Sequence, residues 1–229
     1  MPDPVRVVFA VFPNVTQLDF TGPHQAFSRL PGAVLTVASV TGAPIAADGL
    51  QFANLARLAD VPACDVLCIP GGHGVIDALG DEALLREIRR LAAGARFVTS
   101  VCTGSLALGA AGLLRGKRAA CHWAWRELLI PFGAIVDTGR VVRDRNVITG
   151  GGITAGIDLA LTVIAELAGP DVAQAIQLTL EYAPAPPFDA GRPETAPPEA
   201  VALVRARMAA TVEPRRAAVA AAARRVIAG

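Results

Sequence analysis

The run Phe97-Val98-Thr99-Ser100-Val101-Cys102-Thr103-Gly104-Ser105 carries the sharpest chemical signal in the chain. A largely apolar strand leads straight into a residue with a nucleophilic side chain. Small residues follow at once, and then a helix begins. This order predicts a nucleophile elbow, a tight strand-to-helix turn that lifts one side chain above the sheet edge while a nearby glycine relieves crowding. The residue at the elbow is Cys102. At a helix N-terminus its thiolate would gain from the helix dipole and from free N–H groups. The plainer alternative makes Cys102 an inert buried thiol and Thr103 a helix N-cap.

A thiolate needs a partner that fixes its protonation and position. Threonine, not histidine, follows the cysteine. His122 comes after the strand-like Lys117–Cys121 and either faces the site or is a surface or satisfied core histidine. Asp19 lies in Gln17-Leu18-Asp19-Phe20-Thr21-Gly22-Pro23, just after the first strand and near a helix start. It either stabilises that helix N-terminus or serves as a general acid/base at the sheet end that holds Cys102.

The other cysteines, Cys64, Cys68 and Cys121, read as small buried hydrophobes. Cys64 and Cys68 lack the two-residue spacing of zinc and redox motifs, and His24, His73 and His122 form no H-x-x-x-H pair, so no metal site is expected. The loops Pro70–Gly74, Cys102–Gly104 and Gly150–Gly152 each follow an apolar strand and permit close backbone approach. None matches a P-loop or dinucleotide fingerprint, and no organic cofactor is expected.

These residues need a framework. Val5–Phe12 reads as a strand buried on both faces, and Leu18–Leu30 as a helix. Ala33–Val40 reads as a strand, Ile45–Ala53 as a hairpin or extended excursion, and Val66–Ile69 as a short strand stopped by Pro70-Gly71-Gly72. Glu82–Ala93 is an amphipathic helix, Arg96–Val101 a strand, and Thr103–Leu114 a small-residue helix. Trp123–Leu129 looks helical; Ala134–Val136, Arg140–Arg143 and Val147–Thr149 look extended; Ile153–Ala168 and Val172–Tyr182 are helices. Such alternation predicts an α/β fold with a mostly parallel sheet covered on both faces, and functional loops beyond the carboxyl ends of its strands.

The composition agrees. The chain has 229 residues, a formal charge of +1, and is 53% hydrophobic, which excludes a disordered or strongly basic nucleic-acid-binding class. No apolar stretch reaches the roughly 20 residues of a membrane helix, and the N-terminus makes a poor signal peptide, so a cytoplasmic location is expected.

Leu18-Asp19-Phe20-Thr21-Gly22-Pro23, Ile69-Pro70-Gly71-Gly72 and Val101-Cys102-Thr103-Gly104 together resemble the ThiJ/PfpI superfamily. Within it, Thr99–Ser105, Gly150–Asp158 and Glu181–Phe188 are similar to the isocyanide hydratase group. The resemblance runs over nearly the whole chain. It implies the class I glutamine amidotransferase-like (flavodoxin-like) sandwich and hydration of an isocyanide to an N-substituted formamide. On this reading Cys102 attacks the isocyanide carbon to give a thioimidate, and Asp19 relays the proton and later activates water. Thr103 supplies its backbone N–H and hydroxyl to developing charge, Gly72 adds a second N–H, and Gly151 and Ile153 line the pocket. Many superfamily members carry glutamate near the nucleophile and histidine after it; Asp19 and Thr103 depart from both, against a protease, amidase or deglycase.

The resemblance implies a domain over 1–182 and a homodimer. Ala183–Pro198 holds six prolines and reads as a crossing, and Glu199–Ala228 as one or two helices interrupted near Pro214, packed on the domain or on the partner. Arg205, Arg207, Arg215, Arg216, Arg224 and Arg225 read as a solvated helix face with no nucleic-acid contact. Two rivals stand beside the hydratase: a glutathione-independent glyoxalase, and a small-molecule sensor like the ligand-binding half of some transcriptional regulators.

Overall fold

The computed structural model describes residues 4–228. Its strands are β1 (Val5–Ala10), β2 (Ala33–Ser39), β3 (Ile45–Ala47), β4 (Leu50–Phe52), β5 (Ala56–Arg57), β6 (Val66–Ile69), β7 (Phe97–Val101), β8 (Arg118–Ala119), β9 (Ile135–Val136), β10 (Val141–Asp144) and β11 (Val147–Gly150). Its helices are α1 (Gln17–Phe27), α2 (Val75–Ala78), α3 (Glu82–Gly94), α4 (Gly104–Ala110), α5 (Ala155–Ala168), α6 (Pro170–Thr179) and α7 (Pro198–Ala228).

Seven strands form one sheet in the order β10-β11-β7-β6-β1-β2-β5. All neighbours are parallel except the edge pair β10–β11. The largely apolar runs of β1, β6 and β7 have the expected cause. They lie at the centre, where helices cover both faces and every residue from Val7 to Ala10, Val66 to Ile69 and Phe97 to Val101 is buried. One helical layer holds α1, α5 and α6; the other holds α2, α3, α4 and α7. Gly156 lets α5 approach α1 closely, since a Cβ there would stand 2.9 Å from Pro23 Cδ.

Strand register sets the position of the site. Ile69 pairs with Ser100, and Ser100 with Thr149, so β6, β7 and β11 end level with one another. The three glycine-bearing loops therefore leave the sheet at one edge, beyond the carboxyl ends of parallel strands. No helix among the described residues is long and apolar enough to cross a membrane.

Two elements away from the sheet edge differ in kind from the sequence expectation. Trp123–Leu129 is not an α-helix: Trp123–Trp125 is a turn, and a 3-10 helix follows over Arg126–Phe132. Pro131 disfavours α geometry in the residue before it, and Gly133 at φ 75° ends the segment. α7 is one helix of 31 residues that continues through Pro214. Proline removes one backbone bond, to the carbonyl of Ala210. Ala210 and Pro214 are both exposed, so water can take that carbonyl, and the alanine-rich sequence on either side favours helix.

Candidate active site

Cys102 sits at the turn between β7 and α4 with φ of 58°, in the left-handed region. For a non-glycine residue this costs about 1–2 kcal/mol. The neighbours hold it there. Its N–H donates to the Gly150 carbonyl at 3.1 Å. Gly104 packs so tightly that a Cβ would lie 2.1 Å from the Ile69 carbonyl oxygen. The elbow expected from the sequence is therefore formed. We expect Gly104→Ala to destabilise the fold by about 3 kcal/mol or more, because the clash is with backbone that cannot swing aside. Denaturant unfolding measures this; an unchanged midpoint would show that the elbow tolerates a methyl group.

α4 is shorter than expected, seven residues from Gly104 to Ala110, so the dipole contribution to Cys102 is correspondingly small. The Thr103 N–H beside the Cys102 sulfur does pull its thiol down. Burial nonetheless pushes the Cys102 thiol well above its ordinary range, and the negative charge of Asp19 adds to this.

Asp19 occupies the first turn of α1 and is wholly buried. It is more than a helix-end charge. Its Oδ2 accepts the Gly71 N–H at 2.9 Å, and its Oδ1 has no hydrogen-bond partner among the described residues. The contact is close by necessity: a Cβ on Gly71 would lie 2.9 Å from Asp19 Oδ2 and 2.5 Å from the Thr103 nitrogen. Burial raises the Asp19 carboxyl to about 7; the Gly71 bond and the facing Cys102 thiol pull it down, and Asp48 pushes it up. The carboxyl and thiol are thus coupled, and the Oδ1 lone pairs stay free for a proton.

Thr103 and Gly72 need correction. The Gly72 N–H is engaged with Thr103 Oγ1 at 2.9 Å, and that hydroxyl also donates to the Gly72 carbonyl at 3.3 Å. Neither the Gly72 N–H nor the Thr103 hydroxyl is free to meet developing charge. The pair laces the Pro70–Gly74 loop to the elbow instead. Gly72, at φ 141°, also bridges to Val15, where a Cβ would meet the Thr16 nitrogen at 2.4 Å.

A cavity of about 140 Å³ opens above the sulfur, lined by Cys102, Thr103, Gly72, His73, His122, Trp125 and Ile153, and closed by Arg207, Met208, Thr211 and Arg215 of α7. Gly151 lines an adjoining cleft of about 250 Å³ that shares His122 and Ile153 with the cavity. His122 is at the site and half-buried, and burial followed by Arg215 lowers it to about 4, so it is a neutral imidazole. Ser105 and Thr149 hold it there through the Ala120 backbone, at 2.6 Å and 2.7 Å.

Cys64, Cys68 and Cys121 are free and buried, and burial raises their thiols to about 11, 12 and 12. No group of three metal-ligating side chains gathers among the described residues. Sequence reasoning allowed the C-terminal helix to pack on the domain but did not place it over Cys102. Arg215 in particular is not solvated: it is 3% exposed, with its guanidinium 4.2 Å from the Trp125 ring centroid. Arg225 is exposed, as expected, and also donates to the Leu79 carbonyl at 2.6 Å.

The DJ-1/PfpI family model matches residues 5–166. The chain is 52% identical over 210 residues to the isonitrile hydratase of Pseudomonas putida, covering 91% of this chain and 92% of that one. The crystal structure of a ThiJ/PfpI family protein from Pseudomonas syringae superposes with a TM-score of 0.88 at 41% identity, covering 97% of this chain and 91% of that chain. The HTH-type transcriptional regulator GbdR of Pseudomonas aeruginosa is 31% identical in an alignment of 195 positions that covers 79% of this chain and 51% of the regulator.

Proposed function

The chain belongs to the DJ-1/PfpI family, and from that premise we propose that it hydrates isocyanides, R–N≡C, to N-substituted formamides. The observation that carries the reading is the strained elbow facing a buried carboxyl: Cys102 at φ 58° against Asp19, with a carboxyl pKa of about 7.

Asp19 takes the Cys102 proton as base, and the sulfur bonds to the terminal isocyanide carbon. Asp19 returns the proton to that same carbon, giving the thioimidate Cys–S–CH=N–R. Water then adds across the C=N bond, its hydroxyl to carbon and its proton to nitrogen, with Asp19 again carrying the proton. The tetrahedral adduct expels the thiolate as its hydroxyl proton passes to Asp19 and from there back to the sulfur, leaving R–NH–CHO. Every atom of the product comes from isocyanide and water. The Thr103 N–H steadies the sulfur as it leaves. Ile153, Trp125 and Met208 give the R group apolar surface in a cavity that holds only a small substituent.

The test is incubation with an alkyl or aryl isocyanide, following loss of the isocyanide band and appearance of the formamide. Methylglyoxal in a parallel arm distinguishes a glyoxalase. Turnover of methylglyoxal with no isocyanide turnover would replace this reading. A homodimer is part of the proposal; light scattering behind a sizing column should give twice 23.6 kDa.

A further inference from the structure

We propose that Arg215 is the counter-charge of the Cys102 thiolate, brought to the nucleophile by the last helix. The inference deepens the assignment of Cys102 as nucleophile and rests on it.

The observation is a buried cation without a partner. Arg215 is 3% exposed, and its Nε has no hydrogen-bond partner. Among the described residues no carboxylate forms an ion pair with it. A desolvated charge is costly unless something nearby balances it. The Trp125 face, 4.2 Å from the guanidinium carbon, offsets part of that cost. A ring is not an anion, however, and the fold keeps the arginine rather than a methionine of similar length.

The groups that could balance it can be named. Asp19 comes from α1, Cys102 from the elbow after β7, Cys121 and His122 from the loop after β8 and His73 from the Pro70–Gly74 loop, with Arg207 as a second cation on α7 itself. Cys121 lies outside the cavity that Arg215 shares with Cys102, and His122 is neutral. Arg207 is exposed, so solvent screens it. What remains is Cys102, which shares the cavity with Arg215 and whose charge would act on the guanidinium more strongly than that of Cys121, with Asp19 behind the sulfur.

Charge counting gives the consequence. Cys102 and Asp19 sharing one proton carry a single negative charge, which Arg215 neutralises. Arg215 lines the same cavity as the sulfur, and Asp19 does not. The guanidinium therefore favours the arrangement with charge on sulfur and proton on Asp19, which is the arrangement ready to attack and to protonate. Arg215 acts through Cys102 and is a positioning residue, not a catalytic one.

The experiment measures thiol reactivity, so it does not depend on isocyanide turnover. Iodoacetamide alkylation is followed by intact mass from pH 5 to 10, with Cys102→Ala as the blank for other thiols. Arg215→Met should raise the apparent pKa of alkylation by about 1–2 units and slow alkylation at pH 7 by roughly 10–100-fold. Arg215→Lys, which keeps the charge, should recover most of the rate. If circular dichroism shows Arg215→Met unfolded, Arg215→Gln is measured against the same criteria. A neutral variant with the wild-type pH profile overturns the proposal, as does a lysine variant as slow as the neutral one.

Discussion

Cys102→Ala is expected to lower isocyanide turnover on the order of 10⁴-fold or more, to the level of a protein-free control, while leaving the fold intact. The size follows from the role. Without sulfur no covalent adduct forms, and water must attack an unactivated isocyanide carbon directly. Preservation of the fold follows from the backbone. Alanine at φ 58° carries the same strain as cysteine, and the N–H bond to the Gly150 carbonyl survives. Only one sulfur atom is lost, from a residue that already borders a cavity. The melting temperature should therefore move by no more than a few degrees, which separates lost chemistry from lost structure. Cys102→Ser should be as inactive, because its hydroxyl stays protonated beside a carboxyl of pKa about 7. In the wild type, acid quenching under turnover should trap a species heavier by one whole isocyanide, on the peptide holding Cys102. Measurable turnover by Cys102→Ala would remove covalent catalysis from the mechanism.

Much of this site is legible in the amino-acid sequence, for a physical reason. β6 and β7 are buried on both faces, so their sequences are largely apolar runs of small and β-branched residues, and the point where each run stops marks the sheet edge. Cys102 stands at one such stop with small residues behind it, and Asp19 is an acid in an otherwise apolar helix start. What stays hidden depends on distant chain segments meeting. Trp125 and Arg215 stack across ninety residues, and no periodicity within α7 separates Arg215 from the exposed Arg216 beside it. The capture of the Gly72 N–H by the Thr103 hydroxyl needs two loops in close register, which neither loop encodes alone. β5 is only Ala56–Arg57 and exists because β2 offers it an edge. Pro214 points the wrong way because proline breaks helices by default, and only burial shows that this one lies on the solvent side of its helix.

Asp19→Asn should reduce kcat/KM by about 10²–10⁴-fold, the range for losing a positioned general acid/base. In the wild type the active form of the Cys102–Asp19 pair holds one proton. That form appears as pH rises through about 7, where the pair gives up its first proton, and persists until the second leaves well above the ordinary thiol range. The wild-type profile should accordingly rise through pH 7 and level off, and the limb at pH 7 should vanish in the asparagine variant. Stability should move the other way. The folded carboxyl, at about 7, lies above its unfolded value of 3.8. A raised acid contributes fully below the unfolded value, and that contribution is lost as pH rises through the folded one. Three units correspond to about 4 kcal/mol lost by pH 8. Asparagine does not ionise, and its amide oxygen can keep the Gly71 bond, while its NH₂ takes the place of an Oδ1 that already lacks a partner. An unpaired buried donor costs about 1–3 kcal/mol, which leaves a net gain. Asp19→Asn should therefore melt a few degrees above the wild type at pH 8, with the difference shrinking toward pH 4. A variant that is both inactive and less stable at pH 8 would show that Asp19 holds the fold as an anion, and its role as proton relay would have to be abandoned. An inactive but stabilised variant is the signature of a carboxyl kept in an unfavourable place for the sake of proton transfer.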